Sequence, residues 1–155
     1  MPMSIDLNKT KYLSYKGPEP FVFIRAFKSE EKELNRIADE LYLRKIRFFY
    51  DCVKGNNTHL PEEVAGAILN SELCIFILSA KAQDDLDLRN SINYALSLKK
   101  KVLCLKDEAF ELLHGLNVQL ANVSFYDDHL KLIAENDLSA CQGEGQLLNY
   151  GDDGR

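Results

Sequence analysis

The sequence lacks the patterns that mark several large classes of protein. Its four cysteines form no CxxC pair, which argues against a zinc site or a small disulfide framework. No apolar run approaches the length of a membrane span, and the first ten residues lack the apolar stretch of a signal peptide. The net charge of -5 argues against nucleic acid as a main partner, because phosphate binding uses a basic face. We therefore expect a cytoplasmic globular domain that binds neither nucleic acid nor membrane.

Motifs for phosphate binding and for nucleophilic hydrolysis are missing as well. The sequence contains no GxGxxG, no GxxxxGK[ST] and no GxSxG elbow. The first and third strand-like runs end in Arg-Ala and Ser-Ala, at 25–26 and 79–80, where a magnesium-dependent phosphoacceptor domain needs acids. No two of the three histidines, His59, His114 and His129, have metal-ligand spacing. We expect no metal and no resident cofactor.

What the sequence does have is a regular alternation of short apolar runs and amphipathic segments. Ser29 is expected to cap the first helix, whose apolar side follows helical spacing through Leu34, Ile37, Ala38 and Leu41. Strands and helices that alternate through short connections favour a parallel sheet with helices on both faces. We predict an α/β fold with a flavodoxin-like five-stranded parallel sheet of order 2-1-3-4-5. Its strands are predicted at PFVFIRAF, IRFFY, LCIFILS, KVLCL and ANVSFY.

Composition changes at both ends of this alternation. Residues 1–19 show no persistent periodicity and run into a segment rich in proline and glycine. Residues 137–155 are polar and hold four of the eight glycines. We predict an N-terminal arm over 1–19, one domain over 20–136, and a C-terminal tail over 137–155 that is disordered unless a partner holds it.

Several segments between about residues 17 and 135, taken in their order along the chain, resemble those of a known family. The run NSELCIFILS at 70–79, the run LRNSINYAL at 88–96 and the Tyr-Asp pair at 50–51 resemble the third strand, the third helix and the start of the BB loop of bacterial Toll/interleukin-1 receptor (TIR) domains. The resemblance implies a role in bacterial defence or signal transduction. Within that family, some members cleave the nicotinamide–ribose bond of NAD, and others are adaptors that assemble with other TIR domains.

The enzymes of that family resemble one another in a glutamate on the third helix, within the pattern [RK]-x-E-[IL]. In this chain the run RNSI at 89–92 matches that pattern except that Ser91 stands where the glutamate belongs. Cleavage of an N-glycosidic bond develops positive charge on the ribose, which a carboxylate stabilises and a serine does not. Loss of that charge costs a few kcal/mol, or roughly a hundredfold or more in rate. Asp87, one helical turn earlier, is the possible substitute acid, although acids at helix N-termini commonly serve the helix dipole.

We therefore expect a catalytically degenerate TIR-like domain, a pseudoenzyme that acts through protein–protein contacts with other TIR domains or with itself. One alternative is an NAD glycohydrolase that uses a displaced acid, and another is a nucleotide-sensing domain that binds NAD without cleaving it. The expected ligand cleft consists of Arg25, Phe27, Ser79 and Ser91. The expected interaction loop spans 51–60 and offers Asp51, Lys54, Gly55, Asn56, Asn57 and His59.

Overall fold

A computed structural model of the chain describes residues 10–55, 58–106, 111–112 and 114–149. Its helices are α1 (Glu31–Leu43), α2 (Glu62–Asn70), α3 (Leu86–Ser97), α4 (His114–Gln119) and α5 (His129–Ala134). Its strands are β1 (Tyr12–Leu13), β2 (Val22–Phe27), β3 (Phe48–Val53), β4 (Leu73–Leu78), β5 (Lys101–Lys106), β6 (Ser124–Tyr126) and β7 (Leu147–Leu148).

Five strands form one parallel sheet in the order β3-β2-β4-β5-β6. β4 is buried along its whole length, as its continuous apolar run requires when helices cover both faces of a parallel sheet. Counted from the first strand of this sheet, the order is the predicted 2-1-3-4-5. The flavodoxin-like α/β fold class is therefore confirmed.

Each face of the sheet has its own apolar core, because successive strand residues point to opposite faces. α1 and α5 pack on one face, and α2, α3 and α4 cover the other. Ile24 of β2 belongs to the first core, whereas its neighbour Phe23 stacks on Phe49 of β3 in the second. The predicted apolar side of the first helix is confirmed, since all four of its residues are buried: Leu34, Ile37, Ala38 and Leu41.

The expected cap of α1 is wrong. The chain enters this helix through a 3₁₀ turn at Lys28–Glu30, and Glu30 rather than Ser29 occupies the capping position. The Ser29 hydroxyl instead donates to the Glu30 carboxylate at 3.0 Å and lies 3.5 Å from the Ser79 hydroxyl. Ser29 thus lies in the turn before the helix, and its hydroxyl donates to the adjacent carboxylate instead of capping α1.

The expectation of a disordered tail is also wrong for residues 137–149. They form a 3₁₀ turn at Ser139–Cys141 and then β7, which pairs antiparallel with β1. The physical reason is burial of scattered apolar side chains, since Leu138 and Cys141 both join the core that α1 and α5 cover. The predicted arm and the predicted tail therefore meet each other on the domain, while the boundaries proposed for them stay predictions.

Among the helices within the described ranges, none has both the length and the apolar composition that crossing a membrane requires.

Candidate functional site

The candidate site lies where β2, β3 and β4 end. It is next to the topological switch point of the sheet, between β2 and β4. Ligands of open α/β sheets commonly bind in this position. Three elements meet here, because α3 packs against the end of β2 and because Arg25 of β2 lies in register with Asp51 of β3.

Arg25 is a buried cation held between two carboxylates. Its side chain is only 1 % exposed. Nε donates to Oδ2 of Asp51 at 2.9 Å, and Nη1 donates to both Oδ1 and the backbone oxygen of Asp87, at 2.8 and 3.0 Å. The structure thus brings together Arg25 from the expected ligand cleft, Asp51 from the expected interaction loop and Asp87, the possible substitute acid. We call these three residues the Arg25 cluster.

Ser91, at the position where the resemblance implies a glutamate, is fully buried on α3. Its hydroxyl donates to the backbone oxygen of Leu88 at 2.6 Å. Asp87, one turn earlier, has a side chain that is 2 % exposed and turned towards the Arg25 guanidinium. On α3, therefore, the Ser91 hydroxyl is hydrogen-bonded to the helix backbone and the Asp87 carboxylate is paired with Arg25.

The other two residues of the expected cleft have partners of their own. The Ser79 hydroxyl accepts from the backbone N–H of Ala82 at 3.1 Å, which closes the turn after β4. Phe27 lies against Gly55, where an added Cβ would come within 3.2 Å of Cε1 of the phenylalanine ring. Phe27 therefore packs under the loop that follows β3. The roles of these residues in ligand binding stay predictions.

The expected interaction loop is fixed at both of its ends. Asp51 begins it inside β3 and holds Arg25, and near its other end the backbone oxygen of Thr58 accepts from Nδ2 of Asn90 on α3 at 3.3 Å. Lys54, Gly55 and His59 are exposed. Gly55 has a φ of +88°, a conformation that a residue with a side chain rarely adopts. Of the remaining residues expected to make contacts, Asn56 and Asn57 lie outside the described part of the chain.

Sequence reasoning missed a second buried arginine at the opposite end of the sheet. Arg47, which immediately precedes β3, donates to three backbone oxygens, those of Pro20, Glu144 and Ala140, at 2.9, 3.1 and 3.4 Å. Its guanidinium also lies 5.6 Å from the centre of the Tyr15 ring. We call this arrangement of Arg47 with residues 12–15 and 140–148 the Arg47 clasp.

The signal that could have revealed the clasp was the pair of glycines in the segment read as a tail. Gly143 and Gly145 have φ of +145° and +122°. A Cβ at Gly143 would lie 2.6 Å from Nη1 of Arg47, and one at Gly145 would lie 2.8 Å from Cε1 of Tyr15. Glycine is therefore required at both positions for close approach as well as for conformation.

The buried thiols of Cys74 and Cys104 are protonated at neutral pH, so they do not act as nucleophiles. Burial raises the pKa of the Cys104 thiol to about 12 and that of Cys74 to about 11. A thiol attacks as the thiolate, so both remain inert side chains of the core. Across the described residues, no group of three or more His, Cys, Asp or Glu side chains is placed to hold a metal ion.

Comparisons with known proteins gave likenesses in three dimensions only. No family model and no curated protein matches the chain. The TIR domains of the activated Roq1 resistosome, which directly recognises the pathogen effector XopQ, match with a TM-score of 0.47 and 17% identity over 67% of this chain and 64% of that chain. The CMP N-glycosidase BcmB of Clostridium botulinum matches with a TM-score of 0.45 and 20% identity over 74% of this chain and 96% of that one.

This chain thus spans less than two thirds of the length of the Roq1 chain that it matches. At these TM-scores and identities, neither likeness carries an argument about activity. The fold class rests on the strand order and register of this chain itself.

Proposed function

We propose that this chain is a TIR-like protein–protein interaction module, in which the position that the resemblance assigns to a catalytic glutamate serves the fold instead. The observation that carries this proposal is the state of α3: Ser91 is buried and bonded to its own helix, and Asp87 is buried and paired with Arg25. The resemblance suggests that such a module acts in the cytoplasm in bacterial defence or signalling.

The electrostatics of the site argue against bond cleavage. A carboxylate that stabilises positive charge on a ribose must be free to face the substrate as that charge develops. The Asp87 carboxylate already faces a guanidinium at 2.8 Å inside the protein, so turning it towards a substrate would leave Arg25 buried without one of its two counter-ions. That cost, on the order of 3–5 kcal/mol, would be added to the reaction barrier.

The same cluster gives the interaction loop a fixed base. Asp51 is both the first residue of the loop and a partner of Arg25, and Asn90 of α3 holds the backbone of Thr58 on the far side. Between these two points, Phe27 supports Gly55 from below. A loop that is held at its ends while Lys54 and His59 remain exposed is suited to present polar side chains to another TIR domain or to a second copy of this chain.

The first experiment measures free nicotinamide after incubation of the protein with NAD over a wide range of protein concentrations. We expect no release at any concentration. The same assay with CMP, followed by release of cytosine, covers the substrate named for the second structural neighbour. Release of nicotinamide that Asp87→Asn abolishes and Asp84→Asn does not, with both variants folded by near-UV circular dichroism, would establish the glycohydrolase alternative and overturn the proposal.

The second experiment tests the loop as a contact surface. Lys54→Glu reverses an exposed charge on the loop, and Lys99→Glu makes the same change in the turn after α3, at the opposite end of the sheet. If the loop mediates homotypic association, we expect Lys54→Glu to weaken it about fivefold or more in sedimentation equilibrium and Lys99→Glu to leave it unchanged. Equal effects of the two variants would show that net charge, rather than the loop, governs association.

A nucleotide-sensing role makes a different prediction. A domain that binds NAD or ADP-ribose without cleaving it should show a higher melting temperature in the presence of millimolar ligand. We expect no shift, because the four donor–acceptor contacts of the Arg25 and Ser91 side chains are already made within the protein. A concentration-dependent shift with either ligand would favour the sensing role over the interaction module.

A further inference from the structure

The outer edge of β3 is closed in an unusual way. β3 is the edge strand of the parallel sheet, so the N–H and C=O groups of Phe48 and Tyr50 point away from β2. Exposed edges of this kind are templates for pairing with another chain, and proteins protect them. In this chain the protection comes from the Arg47 clasp.

Only one of the four edge groups has the backbone partner that a neighbouring strand would supply. The oxygen of Phe48 accepts from the backbone N–H of Tyr15 at 2.8 Å. The N–H of Phe48 donates to Oε1 of Gln146 at 2.7 Å, and the Ser14 hydroxyl serves both the N–H and the oxygen of Tyr50, at 3.0 Å each. The clasp thus covers the edge with side chains rather than extending the sheet.

Backbone and side-chain contacts anchor the cover, among them the hydrogen bonds from the N–H of Arg47 to the oxygen of Cys141 and from the N–H of Gly143 to the oxygen of Lys45. Arg47 joins the residue two positions before β2 to the C-terminal segment, because it donates to the oxygen of Pro20 and to those of Ala140 and Glu144. Gly143 and Gly145 allow the covering segment to approach Arg47 and Tyr15. The cover also places Tyr12, Tyr15 and Cys141 in the two cores, so its opening releases these side chains, while the strands of the sheet and the helices on its faces keep the rest of their packing.

The edge that opening would expose is complementary to itself. The three residues from Phe48 to Tyr50 are apolar and aromatic, and they favour the strand conformation. If two copies pair antiparallel about Phe49, then Phe48 of each copy lies opposite Tyr50 of the other. Every N–H and C=O group that the clasp now satisfies would find a backbone partner, in four hydrogen bonds related by two-fold symmetry.

We propose that the outer edge of β3 is a docking surface for a second copy of this chain, and that the Arg47 clasp is the built-in cover that keeps it closed. Release of the clasp converts two five-stranded sheets into one continuous sheet of two copies. This surface is distinct from the 51–60 loop, so the inference does not depend on the proposed function.

The test uses the two clasp glycines and a matched glycine elsewhere. The double variant Gly143→Ala/Gly145→Ala forces alanine into φ of +145° and +122° and places Cβ atoms at 2.6 and 2.8 Å from side-chain atoms of Arg47 and Tyr15, so it should open the clasp. Gly66→Ala is the control, because a Cβ at that position of α2 meets nothing within 4 Å. The measurements are molar mass by light scattering over a wide concentration range, relative to wild type, and amide hydrogen exchange at Phe48 and Tyr50.

We expect the molar mass of the double variant to rise with concentration until it is twice that of wild type. Exchange at Phe48 and Tyr50 should be about tenfold or more faster than in wild type at low concentration and slow again as the dimer forms. Gly66→Ala should match wild type in both measurements. A double variant with the mass of wild type at every concentration would overturn the inference, and so would association without renewed protection of Phe48 and Tyr50.

A milder variant keeps the test decisive if the double variant fails to fold, as judged by near-UV circular dichroism. Gln146→Ala removes the acceptor of the Phe48 N–H and the donor to the oxygen of Leu13 without changing any glycine. The same outcomes in mass and exchange then decide the question.

Discussion

Among the described residues, the two buried arginines lie at opposite ends of the sheet and have their charge balanced in different ways. Arg25, at the carboxyl end of β2, faces two carboxylates and is buried beside the central strands. Arg47, before β3, faces backbone oxygens and an aromatic ring, under a cover of irregular chain. An ion pair deep in a protein is costly to break, because the remaining charge stays buried, whereas carbonyl groups near the surface recover water. We therefore expect Arg25 to stabilise the whole domain, and Arg47 to stabilise only the clasp.

The largest expected effect comes from removing the first arginine. Arg25→Met leaves the buried carboxylate of Asp87 without the guanidinium, which should lower the free energy of unfolding by about 3–5 kcal/mol. Urea denaturation followed by circular dichroism measures this loss. Arg36→Met is the control, because Arg36 is exposed and its pair with Glu33 should be worth under about 1 kcal/mol. A loss for Arg25→Met no greater than that of the control would show that the cluster does not stabilise the fold.

Removal of the second arginine should cost less and act locally. Arg47→Met gives up hydrogen bonds to three carbonyl groups, so we expect a loss of about 1–3 kcal/mol in the same denaturation experiment. If Arg47→Met destabilised the domain as much as Arg25→Met, the distinction between a global and a local role would fail.

The thiol groups can report where each variant opens. Cys141 lies in the Arg47 clasp, and burial raises its pKa to about 11, while Arg47 acts in the opposite sense. Arg47→Met should therefore raise this pKa further in the closed state, in which the sulfur is buried and does not react. Opening exposes it, and a loss of about 1–3 kcal/mol corresponds to alkylation roughly 5- to 150-fold faster.

Cys104 supplies the matched control for that measurement. It lies in β5, fully buried, and burial raises its pKa to about 12, so that it reacts only when the sheet opens. At pH 8, with mass spectrometry of each peptide, Arg47→Met should accelerate alkylation at Cys141 far more than at Cys104. Arg25→Met should accelerate both. Equal acceleration at the two thiols in Arg47→Met would mean that the clasp and the sheet open together.

Sequence reasoning was able to predict the sheet because each strand is a short apolar run and each helix carries an amphipathic pattern, both of which are local in the sequence. The order of five strands and the buried side of α1 were both confirmed. The clasp could not be found in the same way, because its stability comes from contacts between residues almost a hundred positions apart, such as Arg47 with Glu144. Polar, glycine-rich sequence is typical of disorder, and in this segment the same glycines permit close packing.

The candidate site was predicted as a set of residues but not as an arrangement. Arg25, Asp51 and Asp87 were each identified, the first as part of a ligand cleft, the second in an interaction loop and the third as a substitute acid. The register of β2 with β3 places Arg25 beside Asp51, and α3 brings Asp87 to the same point. A charged residue inside an apolar strand is itself a signal, since a buried arginine requires a counter-ion.

The smallest expected effect separates the two carboxylates of the Arg25 cluster. The Asp51 side chain is 34 % exposed, so water replaces part of what its ion pair provides. Asp51→Asn keeps an oxygen that can accept from Nε of Arg25. We therefore expect it to lower the free energy of unfolding by about 1 kcal/mol, less than Arg25→Met does. The measurement is urea denaturation, with Asp84→Asn as the control, because Asp84 is an exposed acid in the turn before α3.

The local consequence of the same change is the sharper test. Asp51 joins the interaction loop to Arg25, so Asp51→Asn should speed amide exchange in the described part of that loop, at Lys54 and Gly55, while leaving Phe48 unchanged behind the clasp. Faster exchange at Phe48 as well would link the two ends of β3. In that case the two arginines would belong to one cooperative unit, because a perturbation at the first would be transmitted along the strand to the second.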